Sequence, residues 1–507
     1  MRPPARRWRV AAVLLVVATV AGACSSSPAG VASSNGTEGR TDGATATGAA
    51  DRGGAAGDDA APTDETGAGA DGPPPAVWTG CGTGFECATV AVPLDHDDPG
   101  GPGIDIALVR VPASGGSEGS IFVNPGGPGA SGVDYVRGGF VFDDETMSRF
   151  DLVGFDPRGI GQSTPLTCTI DRSAGPLPDL SPDDEAERAA LDEAAERSAD
   201  DCGASDGELL AHLDTDTVAR DLDLLRQAVG DDVLHYYGFS FGTLIGQVYA
   251  ERFPERVGHL VLDGVVDPSA TLPDLLRQQS VAFEEAFEIL DAACDTELTC
   301  PVGGVVGAYD ELLTTLENDG PRGEVGPTEF IGATLITLYD DQLWPVYVTA
   351  LEDALTGDFA LIELLSEAFD SISFAAYAAV GCTDSPRPEG PEAWDRFVDE
   401  TVAVAPRFGA WVANELRTCA FWPVPAGPAR GPITAPGSAP ILVIGNTNDP
   451  ATPLVNAEIV AGQLDNGHLV VVEADSHTAY GVSVCVQEIV AAYFVDDEVP
   501  PSPTHCS

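Results

Sequence analysis

The hydrophobic period of the chain changes at Ser240. Residues 233–237 (Val-Leu-His-Tyr-Tyr) are β-branched, apolar and aromatic, as in a short buried strand, whereas Leu244, Ile245, Val248 and Tyr249 recur at helical spacing within 241–252. A strand, a one-residue turn and a helix are therefore expected there. Upstream, residues 104–111 alternate like a strand, and 120–124 and 152–156 are short apolar runs; downstream, 257–262, 440–446 and 467–473 repeat that pattern. Amphipathic helices are expected at 214–229 and 482–494, so strand and helix alternate, which predicts an α/β fold with a mostly parallel sheet. The alternation stops between 272 and about 426. Helical patterns at 275–290, 309–316, 343–355 and 359–377 predict an inserted helical cap over the strand ends, limiting what reaches Ser240.

The first 76 residues follow other rules. Arg2, Arg6, Arg7 and Arg9 precede an apolar run at 10–20 and then Ala21-Gly22-Ala23-Cys24, the pattern of a targeting segment. It resembles a bacterial lipoprotein signal over 1–23, which implies cleavage before Cys24, a lipid anchor on that cysteine and a cell-envelope location; plain secretion is the alternative. Residues 24–76 are rich in Gly, Ala and Asp without an aromatic side chain, so they are expected to form a disordered tether. The remaining divisions are 77–271, the first strand-and-helix part; 272–426, the cap; and 427–507, the return to the sheet.

Charge narrows the partners. With 80 acidic against 24 basic residues the formal charge is −56, which opposes binding to nucleic acid or anionic lipid and reads as a solvated surface. Membrane association is left to a lipid on Cys24. Beyond Cys24 there are ten cysteines, an even number that in an exported chain reads as disulfides. Sequential pairing closes only short loops: Cys81 with Cys87, Cys168 with Cys202, Cys294 with Cys300, Cys382 with Cys419, and Cys485 with Cys506. No Cys-x-x-Cys occurs and the histidines are scattered, so neither a metal nor another cofactor is expected.

The chemistry centres on Gly238-Phe-Ser240-Phe-Gly242. A serine on a strained strand-to-helix turn is held out at the sheet edge, with small neighbours letting strand and helix approach. Acyl transfer also needs amide donors for a developing oxyanion. The loop 124–132 (Asn-Pro-Gly-Gly-Pro-Gly-Ala-Ser-Gly) follows an early strand and offers Gly127; the residue after the serine, Phe241, offers a second N–H. Asp449 and His477 follow the last two strands in the order acid, then histidine, with Asp263 and Asp267 as rival acids. Asp475 is too near His477 in sequence to reach its far ring nitrogen easily. His235, His259 and His468 lie in strands and read as structural; Asp156 and Arg158 read as braces between loops.

These motifs together, with Asp-Pro-Arg-Gly at 156, Leu-Asp-Gly-Val at 262 and Asn-Asp-Pro-Ala-Thr-Pro at 448, resemble the exported tripeptidyl aminopeptidases related to proline iminopeptidase, over residues 80–507. The resemblance implies an α/β-hydrolase core with a helical cap and a Ser240, His477, Asp449 acyl-enzyme mechanism. It also implies release of short N-terminal peptides from peptide or protein substrates with free N-termini. Pro125 stands where proline iminopeptidases begin this loop with histidine, so their single-proline preference does not carry over. An aminopeptidase needs a carboxylate for the substrate's ammonium; Asp384, tethered through Cys382, is the candidate, with Asp263 as the other and a plain turn cap as the alternative role for Asp384. An esterase or lipase on the same machinery is the rival enzyme, and a non-catalytic binding lipoprotein the rival class.

Overall fold

The computed structural model describes residues 72–168, 178–296, 300, 304–369 and 373–507. The expected signal segment, Cys24 and most of the tether lie outside the described residues. Residues 72–76, expected to belong to the tether, lie against the fold: Ala76 N–H donates to Ala228 O at 2.7 Å.

Ten strands form one sheet: β1 (Thr79–Gly82), β2 (Phe85–Pro93), β3 (Gly103–Val111), β4 (Ser120–Asn124), β5 (Asp151–Phe155), β6 (Leu234–Phe239), β7 (Val257–Asp263), β8 (Ile441–Asn446), β9 (Gly467–Val472) and β10 (Thr504–Cys506). Their order is β1-β2-β3-β5-β4-β6-β7-β8-β9-β10, antiparallel as far as β5 and parallel from there onward. The central strands are buried on both faces, which is why they read as continuous apolar runs. Successive residues serve opposite cores: Tyr236 packs with Leu222 and Val248 on one face, and Tyr237 with Val133 and Val490 on the other. β1, β2 and β10 are short or flanked by turns, and sequence periodicity did not predict them.

Between β7 and β8 the chain is helical: Leu272–Thr296, Val305–Asp319, Pro327–Leu338, Trp344–Leu355, Ala360–Phe369, Phe374–Asp384, Pro391–Val402 and Gly409–Glu415. The expected single helix at 359–377 is two helices, either side of residues 370–372, which are outside the described residues. The insertion has no core of its own: Phe283, Phe287, Tyr309 and Phe330 belong to the same apolar cluster as Leu222 and Val248. The acidic helix Glu185–Leu210 buries Leu191, Ala195 and Ala199. Arg417 reaches its Asp192 at 2.6 Å and Thr418 Oγ1 its Ala195 carbonyl at 3.0 Å. The five disulfides are the sequential set. No described helix is long and apolar enough to cross a membrane.

Register brings the C-terminal ends of the parallel strands level, with Asn124 beside Gly238, Phe239 beside Asp263, Asp263 beside Ile444 and Asn446 beside Val472. In an open α/β sheet, that edge is where a site is built.

Candidate active site

Ser240 sits between β6 and the helix Phe241–Arg252 with φ 53° and ψ −125°, a backbone conformation that costs a non-glycine residue on the order of 1–3 kcal/mol. Its neighbours explain the motif. A Cβ on Gly238 would lie 2.4 Å from Gly242 O, and one on Gly242 would lie 2.6 Å from Asn124 O, so either side chain would force strand, helix and loop apart. The turn is pinned by Ser240 N–H donating to Asp263 O at 2.9 Å and by Thr243, whose N–H and Oγ1 both donate to Ser240 O.

The loop after β4 presses on this elbow. Gly126, at φ +90°, has no room for a side chain: a Cβ would meet Phe239 O at 2.4 Å. Its own N–H is taken by Asn124 Oδ1 at 2.9 Å. Gly127, at φ +103°, lines the cavities at Ser240, and among the described residues neither its N–H nor that of Phe241 has an acceptor. Two donors beside one hydroxyl can hold an oxyanion. The following turn braces this loop, as expected: fully buried Asp156 accepts from Ser131 Oγ, Val133 N and Gln162 N, while Arg158 forks onto Asp221 with two contacts of 2.7 Å.

His477 Nδ1 lies 2.8 and 3.0 Å from the two oxygens of Asp449, a buried carboxylate that also accepts from Ala451 N, Thr452 N and Thr452 Oγ1. With the Nδ1 proton held toward a carboxylate, Nε2 is left as the basic nitrogen. Burial alone would lower the imidazole's pKa; the charge and hydrogen bond of Asp449, with the more distant charge of Asp263, outweigh it and hold the pKa above 6.5. The ring is close to the elbow. A Cβ on Gly264, which follows the residue bonded to Ser240, would meet His477 Cε1 at 3.1 Å, and Thr452, which lines a cavity with Ser240, lies 3.4 Å from His477 Nδ1. Among the described residues no hydrogen bond joins Ser240 Oγ to the ring, a contact that in unliganded hydrolases commonly tightens on substrate binding.

The histidine loop is held from several sides. Asn446 Nδ2 donates to Ser476 O at 2.8 Å and Thr478 O at 2.7 Å, so one carboxamide grips the carbonyls flanking His477. Thr478 has φ 68°, a second strained residue. Asp263 is fully buried and accepts from Ala479 N, Tyr480 N and the Tyr237 hydroxyl; burial pushes its pKa up to about 6 against these bonds. Asp263 thus anchors the loop and lines neither cavity at Ser240, which removes it as holder of a substrate amine.

Two cavities meet at Ser240, sharing Gly127, Gln279 and Tyr377. One is walled by Phe283, Leu335, Tyr339, Phe374 and Trp411, and among the described residues lining it Glu415 alone carries a charge. Glu415 accepts from the Tyr377 hydroxyl. The other is walled by Leu244, Val266, Leu272, Leu275 and Leu416, with Asp267, Asp384, Arg430 and Thr452. Asp384 is not the carboxylate an ammonium would find: Arg430 binds both its oxygens at 2.6 Å and Thr215 N–H donates to one at 2.7 Å. Sequence reasoning missed Glu415 because it lies in an inserted helix whose fold onto the sheet no local pattern encodes. Among the described residues the one grouping able to face a cation is Asp183, Asp184 and Glu187, on the surface.

Residues 119–306 match the family model described as alpha/beta hydrolase fold, and residues 405–506 the one described as TAP-like protein. The chain is 34% identical over 480 residues to the serine protease Hip1 of Mycobacterium tuberculosis, covering 85% of this chain and 91% of the relative. It is 35% identical over 452 residues to carboxylesterase B of the same organism, covering 83% and 86%. It is 31% identical over 451 residues to a tripeptidyl aminopeptidase of Streptomyces lividans, covering 83% and 84%.

Proposed function

The chain belongs to the α/β-hydrolase family with a TAP-like C-terminal segment, and on that footing we propose that it is a serine aminopeptidase releasing short peptides from free N-termini. Ser240 Oγ attacks the scissile carbonyl as His477 Nε2 takes its proton. Asp449 fixes the tautomer and stabilises the imidazolium, while the amides of Gly127 and Phe241 bind the oxyanion. The imidazolium then protonates the leaving amine, and water, activated by the same ring, releases the acyl group. The strained serine, the Asp449 to His477 bond and the unengaged amides support these roles.

The observation that carries the peptidase reading is Glu415, a carboxylate in the aromatic cavity that opens on Ser240. An ester needs no such charge; a substrate ammonium does. The relative named carboxylesterase keeps the esterase reading in view, and one comparison separates the two. Tripeptide anilides with free N-termini should be cleaved at least about tenfold better than their acetylated forms, and Glu415→Gln should erase that difference, since a charge-assisted hydrogen bond is worth roughly 1.5–3 kcal/mol. Equal rates on free and blocked substrates, with esters preferred to both, would favour an esterase.

Export and lipidation of Cys24 are part of the proposal. Five disulfides suit an oxidising compartment, and the arginine-led apolar run before Cys24 suits a lipoprotein signal. Mass spectrometry of the mature N-terminus tests both.

A further inference from the structure

A peptide whose scissile carbonyl sits at Ser240 runs in two directions, and the site has two cavities to receive it. If Glu415 takes the ammonium, the acyl part fills the aromatic cavity and the leaving part must enter the other. Thr452 in the wall of that second cavity lies 3.4 Å from His477 Nδ1, on the Asp449 side of the ring. The departing amine takes its proton from Nε2 of the imidazolium as its C–N bond breaks.

Resting on the aminopeptidase reading, we propose that the second cavity is the leaving-side subsite and that it selects an apolar first residue of the leaving peptide. Its wall is Leu244, Val266, Leu272, Leu275 and Leu416, four of them buried and Leu275 half-buried. Two of its three charges cancel, because Asp384 and Arg430 form a two-pronged ion pair with both contacts at 2.6 Å. The third, Asp267, accepts from Ser269 N and Ser269 Oγ, and among the described residues it has no cationic partner. A carboxylate on the leaving residue would be stripped of water and set near Asp267; a lysine would lose water but meet an opposite charge; a leucine would lose neither. The order of preference is therefore apolar, then basic, then acidic.

The experiment uses the full chain and peptides with one fixed N-terminal tripeptide and a fourth residue of Leu, Phe, Lys or Asp, with kcat/KM measured by product mass. Leu and Phe should exceed Asp about tenfold or more, with Lys between. Leu275→Glu should raise Lys over Leu at the fourth position and leave preferences at the first three unchanged. Thr271→Glu, on the cavity rim, makes the same test should the Leu275 variant fail to fold. A flat series, Asp equal to or above Leu, or a variant that alters N-terminal preference instead would overturn the assignment. Failure of the aminopeptidase reading looks different: acetylated peptides would be cleaved as fast as free ones whatever the fourth residue.

Discussion

The backbone N–H of His477 donates to the carbonyl oxygen of Tyr339 at 2.8 Å, and the Tyr339 ring stands edge-on to the imidazole with centroids 5.3 Å apart at 89°. Tyr339 ends the inserted helix Pro327–Leu338 and lines the aromatic cavity, and its neighbour Asp340 forms a β-bridge with Ser476. The inserted helices thus touch the proposed base as well as the substrate space.

Tyr339→Leu keeps the carbonyl and much of the apolar volume but removes the ring that faces the imidazole. It should lower kcat for a small ester, too short to fill the aromatic cavity, by about tenfold, roughly 1.4 kcal/mol, with little change in KM. A thermal melt confirms the fold. An unchanged small-ester kcat would reduce Tyr339 to a cavity wall.

The acid limb of kcat/KM should lie above pH 6.5. Only neutral His477 can act as base, and Asp449 with Asp263 keeps it protonated to higher pH than an ordinary histidine, so rate is lost earlier on acidification. The same shift stabilises the fold: the contribution is complete below the unfolded value of 6.5 and is lost as pH rises through the folded one. Asp263→Asn removes one of the charges that raise the pKa and should move the limb down. A pH profile of both enzymes checks the sign, and an upward move would contradict it.

Asn446 offers a sharper contrast. Its Nδ2 donates to the carbonyls of Ser476 and Thr478 from a buried position. Asn446→Asp keeps the shape but turns the donor into a carboxylate facing two carbonyl oxygens, and should destabilise by about 2–4 kcal/mol. Asn446→Leu, which removes the donor without adding a charge, should cost less. Denaturant midpoints of the two variants decide it, and an aspartate form as stable as the wild type would show that the contact holds nothing.

The elbow was legible because a strand and a helix of different period meet at one residue, and His477 because it alone among the histidines follows the last long strand in a loop. Gly326-Pro327 with Glu329, and Gly390-Pro391, were readable helix starts, since proline suits the first helical turn and Glu329 reaches back to Gly326 N at 2.9 Å. Apolar periodicity alone passed over both. Asp384 failed for a different reason: its partners, Thr215 and Arg430, are 169 and 46 residues away, and no local pattern says that a carboxylate is already taken. Asn446 resembled an ordinary strand end; its hold on the His477 loop appears only when β8 and β9 are side by side.

The central claim is that Ser240 is made nucleophilic by His477. Treatment with a fluorophosphonate, followed by peptide mass mapping, tests it directly. The modification should fall on Ser240 in the wild type, slow by orders of magnitude in His477→Ala and vanish in Ser240→Ala, with all three proteins folded. Labelling at another serine, or an undiminished rate without His477, would contradict it.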